Sequence, residues 1–183
     1  MEVNLVNIPN ILTVIRLALI PVFIRFYILG EPTTALIIYL IAGVTDILDG
    51  YIARRFNMTT KLGTMLDPLA DKLMLIAALG CLTYSSLIPK WVLAVVLIKE
   101  GAMIIGGAIM YFSHIKRVIP SNVFGKVATI VFYIAVATAL LEAKPIYRDA
   151  TMTGAVIITF VAFCNYLYLY IKDHPSKDSN LAK

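Results

Sequence analysis

The sequence predicts an all-α integral membrane protein with six transmembrane helices. Of its 183 residues, 60% are hydrophobic, and the mean hydropathy is +0.86. Soluble globular domains are typically about 45–50% apolar. Six apolar segments approach the length of about 20 residues that a helix needs to cross a bilayer. We therefore expect a single helical membrane domain over residues 1–172 and a polar cytoplasmic tail over 173–183.

The predicted helices are separated by polar breaks. The six segments are residues 9–29, 33–53, 66–86, 89–112, 123–142 and 151–171. The breaks "GEPT" (30–33) and "SSLIPK" (85–90) contain glycine or proline and predict tight turns. The first segment is too long for the apolar part of a cleavable signal peptide, and no basic stretch precedes it. It is expected to stay in the protein as a membrane helix.

The positive charges suggest an orientation, because Lys and Arg gather in the cytoplasmic connections of membrane proteins. With both termini inside, most cations fall on the inner side: Arg54, Arg55, Lys61, Lys116 and Arg117 in the connections, and Lys172, Lys177 and Lys183 in the tail. The outer connections then hold only Lys90, Lys144 and Arg148. This pattern predicts a multi-pass plasma-membrane protein with cytoplasmic termini. The net charge of +5 is explained by topology and anionic lipid, so no nucleic-acid partner is expected.

Four aspartates stand out against this apolar background: Asp46, Asp49, Asp67 and Asp71 lie within 26 positions. The first two are three residues apart on the second helix, and the last two are four apart on the third. Such spacings place each pair on one helix face. Charged groups at membrane depth are costly and commonly mark a functional site. The predicted orientation puts all four at the cytoplasmic ends of their helices.

Residues with little or no side chain border both aspartate pairs. Gly50 and Ala53 extend the face of the first pair, and Gly63 and Ala70 flank the second. This leaves an open slot beside the carboxylates. Clustered carboxylates suit Mg²⁺, Mn²⁺ or Ca²⁺, and a pair of such ions is typical of phosphoryl-type chemistry. Two alternatives remain: a cation transporter or channel, and helix-end ion pairs with Arg54, Arg55, Lys61 and Lys72.

The order of these residues resembles the signature of the CDP-alcohol phosphatidyltransferases. It runs Asp46, two residues, Asp49, Gly50, two residues, Ala53, Arg54, eight residues, Gly63, three residues, Asp67, three residues, Asp71. The resemblance implies a six-helix, homodimeric enzyme with a cytoplasm-facing cavity. It also implies transfer of a phosphatidyl group from CDP-diacylglycerol to an alcohol, with release of CMP and with two Mg²⁺ or Mn²⁺ ions as cofactors.

The resemblance also implies a role for each signature residue. All four aspartates would be metal ligands, and Asp71 would in addition be the general base that takes the proton of the acceptor hydroxyl. The CDP-lipid would lie against Asp49 and against the four signature positions that are not aspartates: Gly50, Ala53, Arg54 and Gly63.

Further cations outside the signature suggest where the acceptor binds. The candidates for acceptor binding are Arg16, Lys99, Arg117 and Lys126. Arg16 has an alternative role, since a buried arginine there could pair with Glu100 or a signature aspartate and lock helices together. We favour glycerol 3-phosphate as the acceptor, because a small dianion needs fixed cations and these residues can supply two or three of them. Phosphatidylglycerol is the alternative acceptor.

Overall fold

A computed structural model describes residues 8–56, 61–112 and 123–172, and these residues form six helices. The helices are α1 (Ile8–Ile28), α2 (Pro32–Arg55), α3 (Lys61–Tyr84), α4 (Lys90–Phe112), α5 (Val123–Leu140) and α6 (Pro145–Lys172). The predicted number and order of helices are confirmed. The third and sixth helices begin five and six residues earlier than expected. A hydropathy pattern stops at polar residues, whereas a helix can continue through them.

Three of the described helices are long and apolar enough to cross a membrane: Pro9–Ile28, Pro32–Ala53 and Pro145–Asn165. Many large apolar side chains on the helices face outward; Ile47 and Ile98 are 71% and 72% exposed. A soluble monomer rarely exposes so much contiguous apolar surface. These features indicate association with a membrane, while the full set of six spans stays a prediction.

The three tight connections between helices share one backbone geometry. Each contains a residue with positive φ: Gly30 at 77°, Ser86 at 58° and Glu142 at 51°. In the first connection the amide of Glu31 donates to the carbonyl of Phe26 at 3.1 Å, which closes the end of α1 as in a Schellman motif. The other two connections repeat this pattern. The turns predicted at 30–33 and 85–90 are therefore confirmed, and each joins two neighbouring helices.

Helix α1 lies against both α2 and α3, while α5 packs mainly on α6 and also contacts α2 and α3. The core between them includes the fully buried side chains of Phe23, Tyr39, Met74 and Val136. This packing brings the first half of α1 against the end of α2 and the start of α3. The polar residues of all three helices meet there.

Candidate active site

The two aspartates of α2 share one cationic partner from α1. The Arg16 guanidinium lies 2.7 Å from the Asp46 carboxylate and also forms an ion pair with Asp49. The Arg16 and Asp49 side chains are buried, whereas the Asp46 side chain is 37% exposed. Of the two roles that the sequence left open for Arg16, the structure shows pairing with signature aspartates. An arginine between two carboxylates fixes α1 against α2 at the level of the site.

The first aspartate of α3 is also held by α1. The Thr13 hydroxyl shares its one proton between two acceptors, the Asp67 carboxylate and, at 3.1 Å, the backbone carbonyl of Pro9. Thr13 lies three residues before Arg16, so both point from the same face of α1. Helix α1 therefore contacts both aspartate-bearing helices through two buried polar side chains, and it acts as the support of the site.

The second aspartate of α3 has its partner on α5. The Tyr133 hydroxyl donates to Oδ1 of Asp71 at 3.2 Å. The sequence did not predict this contact, because the two residues are 62 positions apart and lie on helices that do not follow one another in the chain. The four aspartates of α2 and α3 thus have partners on two further helices, α1 and α5.

A second charged cluster includes Lys72, the residue that follows Asp71 on α3. Glu100 on α4 is buried and forms ion pairs with Lys72 of α3 and, at 2.5 Å, with its neighbour Lys99. Lys72 was one of the cations that could have paired with the aspartates, and its described ion-pair partner is instead Glu100. Both lysine side chains are about one-quarter exposed. Two cations are therefore held near the end of the site where Asp71 lies.

The donor chemistry of the site fits a hard divalent cation. The four signature side chains offer only carboxylate oxygens, which Mg²⁺ and Mn²⁺ prefer. One guanidinium against four carboxylates leaves an excess of formal negative charge. Within the described ranges, no three His, Cys, Asp or Glu side chains already converge as a metal site. Each of the four carboxylates has a second oxygen besides the one that contacts Arg16, Thr13 or Tyr133, and these second oxygens would be the ligands of an ion.

The remaining predicted residues are only partly described. Gly63 is buried, and Gly50 and Ala53 are partly buried. Their predicted place beside the nucleotide stays a prediction. The side chains of Arg54 and Lys126 lie outside the described part of the structure. Arg117 lies in the undescribed range 113–122. The roles of these three cations stay predictions.

A cavity of about 340 Å³ lies at the other end of α3, lined by residues that include Ser86, Lys90 and Arg148. The end of α3 at Tyr84 is about 20 Å from Asp71 at 1.5 Å per residue, so the cavity is remote from the aspartates. It contains none of the signature residues. The aspartate cluster remains the candidate site, since buried charge with specific partners is more informative than concavity alone.

The chain belongs to the CDP-alcohol phosphatidyltransferase family, whose model matches residues 6–161. This membership agrees with the resemblance carried by the signature from Asp46 to Asp71. Enzymes of this family are membrane-bound and generally use divalent metal ions.

Several named relatives resemble the chain over most of its length. A CDP-diacylglycerol--glycerol-3-phosphate 3-phosphatidyltransferase of Bacillus subtilis is 33% identical over 181 residues, covering 87% of this chain and 93% of that protein. A probable phosphatidylglycerophosphate synthase of Mycobacterium tuberculosis is 32% identical, covering 93% and 84%. A probable cardiolipin synthase (CMP-forming) of Drosophila melanogaster is 31% identical, covering 94% of this chain but 51% of that protein. These similarities place the chain among enzymes of phospholipid biosynthesis.

Proposed function

We propose that the protein transfers a phosphatidyl group from CDP-diacylglycerol to glycerol 3-phosphate, which gives phosphatidylglycerophosphate and CMP. The observation that carries this proposal is the complete signature, with its four aspartates at adjoining ends of α2 and α3. Relatives that cover most of the chain are named for the same reaction. The membrane setting suits a donor whose tails lie in lipid and whose nucleotide lies in water.

In the proposed reaction, the acceptor hydroxyl gives its proton to Asp71. Its oxygen then forms a bond to the phosphorus that carries the diacylglycerol group. The bond from that phosphorus to the CMP oxygen breaks, and CMP leaves. A general base in this position contributes about 10²–10⁴-fold to the rate. The base needs a fixed orientation, and the contact with Tyr133 is relevant to that requirement.

Asp46, Asp49, Asp67 and Asp71 would hold two ions, Mg²⁺ or Mn²⁺, which when bound would neutralise charge on the diphosphate of the donor. Asp49, Gly50, Ala53 and Gly63 would line the nucleotide slot. Arg54 would present its planar guanidinium to diphosphate oxygens. The Arg16 side chain is fully buried between the α2 carboxylates, so we assign it to holding the aspartates in place.

The cations near Asp71 support glycerol 3-phosphate as the acceptor. A hydrogen bond to a charged group contributes roughly 1.5–3 kcal/mol, so two or three fixed cations suffice to hold a small dianion. Lys99 lies beside Glu100 close to this end of the site, and Lys126 and Arg117 are proposed to add further contacts.

We also propose that both termini and the site face the cytoplasm, and that the protein is a homodimer.

Phosphatidylglycerol as acceptor is the second candidate, because a probable cardiolipin synthase is similar to nearly the whole chain. This acceptor carries one negative charge, and burial of its tails adds to binding, so it needs fewer cations. The metal site and the base would be the same for both acceptors. The difference lies in the residues that meet the acceptor's headgroup.

The test supplies CDP-diacylglycerol to the purified protein with either acceptor and identifies the lipid product. We expect phosphatidylglycerophosphate from the wild type, and a KM for glycerol 3-phosphate raised at least about tenfold in Lys126→Ala, since one charge-assisted contact is lost. Lys144→Ala, a cation predicted on the opposite face, is the matched control. Formation of cardiolipin with no reaction of glycerol 3-phosphate would move the assignment to the second candidate.

A further inference from the structure

The contact between Tyr133 and Asp71 is built from three helices. The hydroxyl of Tyr133 on α5 donates to Oδ1 of Asp71 on α3 at 3.2 Å. Helix α2 packs against the ring of Tyr133. The ring of Tyr39 lies against it, with centroids 4.8 Å apart and planes inclined by 33°. The hydroxyl therefore reaches Asp71 from a ring that is itself packed in place.

Gly43 makes room for this ring. A Cβ atom at position 43 would lie 2.7 Å from Cε1 of Tyr133, which is closer than side-chain carbons approach one another. Gly43 is one helical turn after Tyr39 on α2, so the two residues form one face against the ring. A side chain at position 43 would push the ring, and with it the hydroxyl, away from Asp71.

We propose that Tyr133 is a positioning residue that orients the Asp71 carboxylate for the proton transfer. The lack of a side chain at Gly43 leaves the space that the Tyr133 ring occupies. This inference rests on the proposed function. An ionised carboxylate offers two oxygens as acceptors. When the Tyr133 hydroxyl holds Oδ1, the carboxylate is fixed in rotation, and the second oxygen is directed to the acceptor hydroxyl. Small errors in such an orientation reduce the rate strongly.

The first test is Tyr133→Phe, which removes the hydroxyl and keeps the ring. We expect kcat to fall about tenfold, as for loss of one hydrogen bond to a charged group. The KM values for CDP-diacylglycerol and glycerol 3-phosphate should stay within about twofold, because the hydroxyl touches the base and not the substrates. A merely structural role would not separate kcat from KM in this way.

The matched control is Tyr39→Phe. The Tyr39 hydroxyl is buried and has no hydrogen-bond partner among the described residues. This substitution removes a hydroxyl from the same pair of rings without touching Asp71, so kcat should stay at the wild-type value. An equal fall in kcat for Tyr39→Phe and Tyr133→Phe would show a general packing effect and overturn the proposal.

The second test is Gly43→Ala, alone and combined with Tyr133→Phe. Gly43→Ala should lower kcat without changing either KM, because it displaces the ring. The double variant should be no slower than the slower single variant, since both changes remove the same contact. Additive losses, or wild-type kcat in Tyr133→Phe, would overturn the proposal. If Tyr133→Phe does not fold, the kcat and KM of Gly43→Ala decide by the same criterion. Absence of CMP release by the wild type would instead contradict the proposed function.

Discussion

The guanidinium of Arg16 lies 2.7 Å from the carboxylate of Asp46, and it also pairs with Asp49. One cation of α1 therefore holds the two carboxylates that the spacing on α2 places on one face. Removing this cation would leave Asp49 buried and without its described charge partner.

We expect Arg16→Met to destabilise the protein by about 3–5 kcal/mol, the usual cost of removing one partner of a buried ion pair. The stability of Arg16→Lys should lie between that of Arg16→Met and that of the wild type, because lysine keeps the positive charge but lacks the planar guanidinium. Thermal unfolding in detergent measures the effect. Arg25→Met, on the same helix but away from the aspartates, is the control. Equal stability of the two methionine variants would contradict the structural role of Arg16.

Activity should require a divalent metal ion. The four carboxylates provide only oxygen ligands and more negative charge than Arg16 compensates. After treatment with a chelator, CMP release should stop, and Mg²⁺ or Mn²⁺ should restore it. Full turnover of metal-free protein would exclude the proposed metal site.

Asp71→Asn should keep donor binding and lose about 10²–10⁴-fold in rate, because an amide cannot take the proton of the acceptor. Steady-state kinetics and binding of CDP-diacylglycerol measure the two effects separately. Asp149→Asn is the matched control, since Asp149 is exposed and pairs with Arg148 at the far end of the molecule. A rate near that of the wild type in Asp71→Asn would assign the base to another residue.

The orientation can be tested by cysteine labelling in intact cells, after Cys81 and Cys164 have been replaced by alanine. We expect Lys144→Cys to react with an impermeant thiol reagent added outside, and Lys61→Cys to be protected. Permeabilised cells provide the control for reactivity at both positions. The reverse pattern would place the aspartates on the outer face, away from a cytoplasmic nucleotide lipid.

The sequence predicted the parts of this structure that depend on local pattern. Apolar length gave the six helices, and helical spacing gave the two aspartate faces. The support around them depends on contacts between distant residues. Thr13 and Asp67 are 54 positions apart, and Tyr133 and Asp71 are 62 apart. No periodicity in one helix indicates which polar residue of another helix will meet it.

The need for a glycine beside Tyr133 could not be predicted from the sequence for the same reason. A glycine at position 43 reads in the sequence as one more small residue of a membrane helix. Only the packing of α5 against α2 shows that a larger residue there would strike an aromatic ring. The ion pair between Glu100 and Lys72 could not be predicted either, because it depends on how α4 lies against α3, whereas Lys99 is the neighbour of Glu100 on α4.

The most direct measurement of the central claim is the stoichiometry of CMP release. Purified protein in lipid vesicles receives CDP-diacylglycerol, Mg²⁺ and glycerol 3-phosphate, and CMP and the new lipid are quantified together. The account predicts one CMP for each phosphatidylglycerophosphate, no CMP without an acceptor, and neither product from Asp67→Asn. Transport of Mg²⁺ across the vesicle membrane without formation of CMP would contradict the account and favour a cation transporter.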